Sequence, residues 1–123
     1  GYENVALSLM HALALDEEAT LILNVRNRGA LTDLDEDAVV EIPCVVDAKG
    51  ARATVIAPLP DHALGLVNAV KSVERAVIEA ATTGSRAAAL RAFATHPLVD
   101  SVSVAQELLT AYQLRIPELS YLT

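Results

Sequence analysis

Tryptophan is absent from these 123 residues, phenylalanine occurs once and tyrosine three times, so aromatics make 3% of a chain that is 53% hydrophobic. A core built on large rings is thereby excluded. What remains, mostly Ala, Leu and Val, implies helices packed closely through small side chains. A single cysteine, Cys44, excludes an internal disulfide and fits a reducing, cytoplasmic setting. Nine basic residues stand against sixteen acidic ones, a net charge of −7. With no basic stripe to meet phosphates, a nucleic-acid partner is excluded. Long apolar runs are missing too: Asp, Glu, Lys or Arg interrupts each one before the ~20 residues a spanning helix needs, and no membrane role is expected. No signal-peptide pattern opens the chain.

Catalytic signatures are equally scarce. His11, His62 and His96 fall in separate stretches without H-x-x-x-H, H-E-x-x-H or C-x-x-C spacing, so no self-contained metal site is expected. No glycine-rich phosphate cradle occurs, and no serine sits in a nucleophile elbow. Neighbouring acids such as Asp35 and Asp37 have nothing to split their pKa values as acid–base glycoside hydrolysis demands.

What is present reads as one α+β domain over residues 1–123, small antiparallel strands packed on several helices. Glu3 to about Glu17 has Val5, Leu9, Ala12 and Leu13 on one stripe, widened by Leu7, Met10 and Ala14, which predicts a helix buried on most faces, with Ser8 and His11 sharing a polar facet. Thr20–Val25 is dense in β-formers. Asn24, Arg26, Asn27, Arg28 and Gly29 crowd its exit, and the acids of 33–37 follow as solvated surface. In 39–46, Val40, Ile42, Cys44 and Val46 alternate with Glu41 and Pro43, which predicts an inward apolar face; Pro43, having no N–H, marks an edge or a bulge. Asp47–Gly50 is a hairpin turn returning the strand 51–56.

Asp61 is expected to cap a long helix closed by Gly84, with Ala63, Leu66, Val70, Val73, Val77 and Ala80 as its seam and Lys71, Arg75 and Glu79 as a solvated row of charges. Ser85 should cap an Ala-rich helix stopping at Pro97. Ser103 with Gln106 should cap a last helix to about Leu114.

Several of these segments carry a resemblance. Asn24, Asn27, Gly29 and Ala30 in the loop, "DAVVEIPC" at 37–44, Gly65-Leu66, Lys71, Glu74-Arg75 and Ile78-Glu79-Ala80 in the long helix, and His96-Pro97-Leu98 together resemble the carboxy-terminal region of the NAD- and metal-dependent family-four glycosidases, most closely the 6-phospho-β-glucosidase branch. The likeness runs from Gly1 to about Tyr112. It implies a lactate/malate-dehydrogenase-like C-terminal domain and a longer enzyme with its own N-terminal Rossmann domain for NAD. It also implies a divalent metal, commonly manganese, and a phosphorylated sugar as substrate; a homo-oligomer is expected separately, from apolar seams left exposed. In that family NAD takes a hydride from C3 of the sugar, a tyrosine base removes the acidified C2 proton, and the metal holds the developing enolate. The family's NAD-binding glycines, metal-binding Cys and His, and tyrosine lie upstream of the matched region, and none is carried onto a residue here.

The expectation is therefore a substrate-side piece of a larger enzyme, inactive by itself. The alternative is a non-catalytic interaction or oligomerisation module. The loop has two readings. Asn24, Arg26 and Asn27 are candidate contacts to sugar or phosphate, since Arg pairs with phosphate through parallel donors; or Asn27 and Gly29 only shape a turn.

Overall fold

The computed structural model describes residues 1–123. Their order is α1 (Tyr2–Leu15), β1 (Ala19–Arg26), β2 (Val39–Asp47), β3 (Gly50–Ala53), α2 (Asp61–Thr83), α3 (Arg86–Thr95) and α4 (Val102–Arg115), followed by a 3₁₀ turn at Pro117–Tyr121. The fold class is the expected α+β. The chain forms two compact units, Gly1–Leu59 and Pro60–Thr123, a boundary that the reading of one domain did not draw.

In the first unit the strands make an antiparallel sheet in the order β1-β2-β3. Leu21 faces Cys44 and Leu23 faces Ile42 across β1 and β2, and Val45 faces Arg52 across β2 and β3. Val40, Ile42, Cys44 and Val46 are buried as their alternation requires, while Glu41 and Pro43 are exposed. Leu9 and Ala12 of α1, with Leu31, Ala38, Ile56 and Leu59, complete this core.

Pro43 lies in the middle strand with an unbroken register to β1, which overturns the expectation of an edge or a bulge there. A strand residue's N–H and C=O point to the same side, and the Pro43 carbonyl turns toward the β3 side, accepting the Thr54 N–H at 3.0 Å and the Thr54 hydroxyl at 2.9 Å. No N–H can answer it. The β2–β3 ladder accordingly ends at Cys44–Ala53, and β3 is shorter than the expected 51–56. The hairpin itself is as read: Gly50 has φ +101°, and the Asp47 carboxylate accepts the Lys49 N–H at 2.8 Å.

Helix α1 corrects one expectation. Of its residues only Ala12 is buried, and within the chain its apolar surround of Leu7, Met10, Leu13 and Leu15 faces outward. A helix apolar on every side cannot be covered by one three-stranded sheet, so the surplus remains exposed.

The second unit is alanine-rich inside: Ala76, Ala80, Ala88, Ala89, Ala92 and Ala105 are buried beside Val73, Leu109 and Leu122. Small side chains let helix backbones approach closely. On α2 the buried line is Val73, Ala76 and Ala80, whereas Leu66 and Val77 of the expected seam are exposed. Because α3 meets only a narrow strip of α2, the small residues take the contact. The charged row forms ion pairs, but with different partners: Lys71 meets Glu74 at 2.7 Å, and Glu79 meets Arg91 of α3.

Helix ends follow local chemistry with two corrections. Gly84 closes α2 at φ +74°, and Ser85 caps α3 by accepting the Ala88 N–H at 3.1 Å. Asp61 is the first helical residue, with Pro60 before it and no side-chain cap; its acid complements the helix dipole instead. Ser101, not Ser103, caps α4, accepting the Val104 N–H at 3.2 Å. Only Ser101 has the extended backbone a cap needs.

Candidate functional site

The polar loop after β1 is organised around Asn27. Its backbone opens a four-residue turn in which the Ala30 N–H reaches the Asn27 carbonyl at 2.9 Å, with positive φ at both central residues, Arg28 (+46°) and Gly29 (+84°). That is the type I′ pattern, which favours Asn or Gly at its centre. The chain then swings through 31–35 with little ladder bonding, and its carbonyls need donors. The Asn27 amide supplies them, its two N–H groups shared among the carbonyls of Leu31, Leu34 and Asp35 at 2.9–3.0 Å, while its oxygen accepts the Leu31 N–H at 2.7 Å.

The three candidate contact residues thus separate. Asn27 is 0% exposed, and none of its side chain reaches solvent; its visible task is to hold the loop. Asn24 is exposed on the sheet's outer face, opposite Glu41. Arg26 is also exposed and gives Nε and Nη2 to Asp37, a hydrogen bond that raises the guanidinium pKa above its ordinary value.

Beside the turn lies an open cleft of about 480 Å³, bordered by Arg26, Arg28, Gly29, Arg52 and Val55. Arg52 reaches it from β3, held by both oxygens of Asp47 at 2.8 and 2.6 Å. The Arg52 guanidinium, then the Lys49 N–H, lower the Asp47 pKa to about 2. Arg28 was placed in the loop but not among the candidate contacts, and Arg52 was not singled out. Arg28 carried a signal, since it precedes Gly in a turn whose centre suits Asn better. Arg52 carried none, because it belongs to a different hairpin.

Neither a metal nor a dinucleotide fits the residues of this chain. No three of its His, Cys, Asp and Glu side chains converge as a ligand set. Cys44 is buried under the sheet with its thiol toward the Ile42 carbonyl at 3.4 Å. His11 borders a shallow cleft with Ser8, Glu17 and Glu18, the polar facet expected of α1, and the His96 ring accepts the nearby Leu98 N–H. Nor does the sequence hold a glycine-rich turn to cradle a pyrophosphate.

Similarity to known proteins extends over nearly the whole chain. Residues 1–99 match the family 4 glycosyl hydrolase C-terminal domain. A 6-phospho-β-glucosidase of Thermotoga maritima is 40% identical over 109 residues, 88% of this chain and 26% of that protein. The structure of the Thermotoga maritima 6-phospho-β-glucosidase with manganese, NAD⁺ and glucose-6-phosphate superposes with a TM-score of 0.88 at 35% identity, over 96% of this chain and 29% of its own. A 6-phospho-α-glucosidase from gut microorganisms, in complex with NAD and Mn²⁺, gives 0.90 at 26% identity, over 97% and 27%. The chain spans about a quarter of the length of the relatives it matches. With the strands, the loop and the helices all shared in this way, the chain belongs to the family 4 glycosyl hydrolases, as a member of their C-terminal domain.

Proposed function

We propose that this chain is the C-terminal, substrate-side part of an NAD- and divalent-metal-dependent 6-phospho-β-glucosidase, working with an N-terminal Rossmann domain of the same protein. The observation that carries the proposal is the continuous match over residues 1–99, together with 40% identity to a 6-phospho-β-glucosidase. NAD and manganese, the metal favoured here, would supply hydride transfer and enolate stabilisation from a site that these residues do not build. This chain's own part is to hold a sheet and loop in place, and by itself it should not turn over. No helix is long and apolar enough to cross a membrane; a cytoplasmic location and a homo-oligomer complete the proposal, the latter supported by the apolar side chains that α1 leaves exposed.

Within the loop, Asn24 and Arg26 are the positions open to a sugar phosphate, and Asn27 is their support. In the full-length protein, Asn24→Ala and Arg26→Ala should raise KM for a nitrophenyl 6-phosphoglucoside with Tm little changed, whereas Asn27→Ala should lower Tm. Release of nitrophenol from the β-anomer with NAD and Mn²⁺ tests the proposal. Turnover confined to the α-anomer would reassign the substrate. The absence of an upstream dinucleotide fingerprint in the same reading frame would leave the module reading.

A further inference from the structure

Strand β1 is an edge of the sheet, whose order is β1-β2-β3. Pro43 reveals which of its backbone groups are spent. The Pro43 carbonyl turns toward β3, so Ile22, its partner across β1 and β2, is not hydrogen-bonded to β2. By alternation the odd-numbered residues of β1 bond β2 and the even-numbered ones point away; the Asn27 N–H, bonded to the Ala38 carbonyl at 2.8 Å, continues the odd series. The N–H and C=O of Thr20, Ile22, Asn24 and Arg26 therefore form an unpaired row along a strand of eight residues.

Long edges are ordinarily blunted by proline, lysine, a bulge or a covering segment. β1 reads ATLILNVR, without proline or lysine. Its register to β2 is unbroken, no backbone bond reaches it from elsewhere in the chain, and Ile22 stands 64% exposed at its middle. An antiparallel second copy of the same strand fits this edge. Outward groups meet only when even residues face even residues. With Ile22 opposite Ile22, Thr20 faces Asn24 and Glu18 faces Arg26, each twice by two-fold symmetry. Glu18 is exposed, and Arg26, which gives Nε and Nη2 to Asp37, keeps Nη1 free for it. On the outer face the row Pro43-Ile22 of one copy runs on into Ile22-Pro43 of the other, and on the inner face the half-buried Leu21 lies beside Leu23 of the second copy. Sliding by one even step in either direction parts the isoleucines and breaks both Glu18–Arg26 pairs.

We infer that β1 is a two-fold pairing edge that joins two copies of this chain into one antiparallel six-stranded sheet centred on Ile22. This deepens the homo-oligomer proposed above by naming its surface, and rests on that reading only in taking the partner to be another copy.

Sedimentation and amide hydrogen exchange of the 123-residue chain over a range of concentrations test it. Expected are a dimer at high concentration and, with it, slowed exchange at Thr20, Ile22 and Asn24, while Leu21 and Leu23, already bonded to β2, change little. Ile22→Lys sets two like charges on the two-fold axis and should abolish the dimer, with Tm at low concentration kept because the side chain is exposed. Ile22→Cys should link to a second copy under mild oxidation, since a hydrogen-bonded pair has Cα atoms about 5.5 Å apart, within disulfide range. Thr20→Cys should not link, because Thr20 faces Asn24; Cys44 is buried and takes no part. A chain monomeric at every concentration would overturn both this inference and the homo-oligomer. A dimer that survives Ile22→Lys, leaves the three amides fast, or links equally through Thr20→Cys would overturn this inference alone.

Discussion

Asn27 and Asp47 illustrate how single side chains set local geometry here. Asn27 replaces a missing ladder: its side-chain amide, with two N–H groups shared among three carbonyls and its oxygen accepting one N–H, holds a loop whose carbonyls would otherwise be stranded. Asn27→Ala should cost about 2–4 kcal/mol in urea unfolding, because several buried backbone groups lose their partner at once. Asp47 bears on pH. Its folded pKa, about 2, lies below the ordinary 3.8, so its contribution is present above about pH 4 and is lost as pH falls toward 2. The Lys49 amide shift should titrate with a midpoint near 2, and Asp47→Asn should abolish that titration. That Asn27 would be polar and turn-forming was legible from Asn, Arg and Gly in succession; that its amide points inward was not, since its acceptors lie four to eight residues ahead on a loop without periodicity.

At the scale of elements, ends and ladders depend on residues close in sequence. Gly84 is a helix stop legible from composition, and its tertiary setting makes it stricter: at φ +74° a Cβ there would meet the Tyr121 carbonyl at 3.0 Å. Gly84→Ala should destabilise the chain by about 1–2 kcal/mol or more from backbone strain alone, read as a lower Tm. Two serines compete at the start of α4. Ser101→Ala should cost about 1 kcal/mol, whereas Ser103→Ala should stay within about 0.5 kcal/mol; chemical denaturation of both variants separates them. The capping-box pattern favours Ser103 because Gln106 follows it at the right spacing, but a cap works only from an extended backbone, and the loop gives that to Ser101. The seam of α2 moved for a similar reason. Its period was correct, but which strip of a helix is buried depends on the neighbour that arrives, and α3 arrives lined with alanine.

For the whole molecule, two small cores leave a sizeable apolar exterior. Leu7 and Met10 of α1 are 59% and 63% exposed, and patches of this kind associate. The isolated chain should therefore sediment with a concentration-dependent mass, and Leu7→Gln with Met10→Gln should reduce that dependence without lowering Tm.

By itself the sequence determined the strand alternation of β2, the hairpin at Gly50, the stop at Gly84 and the cap at Ser85. Each is written in a few adjacent residues, and backbone sterics or a short-range hydrogen bond suffices to impose it. Its family likeness was readable for a related reason, as the matched segments follow one another in order along the chain. Tertiary structure alone decided that Arg52 joins Arg26 and Arg28 at one cleft, that Asn27 is sealed while Asn24 and Arg26 stay open, and that α1 shows most of its apolar surface. Those outcomes depend on which distant segments meet, and no local period encodes a meeting between residues separated by a strand and a hairpin.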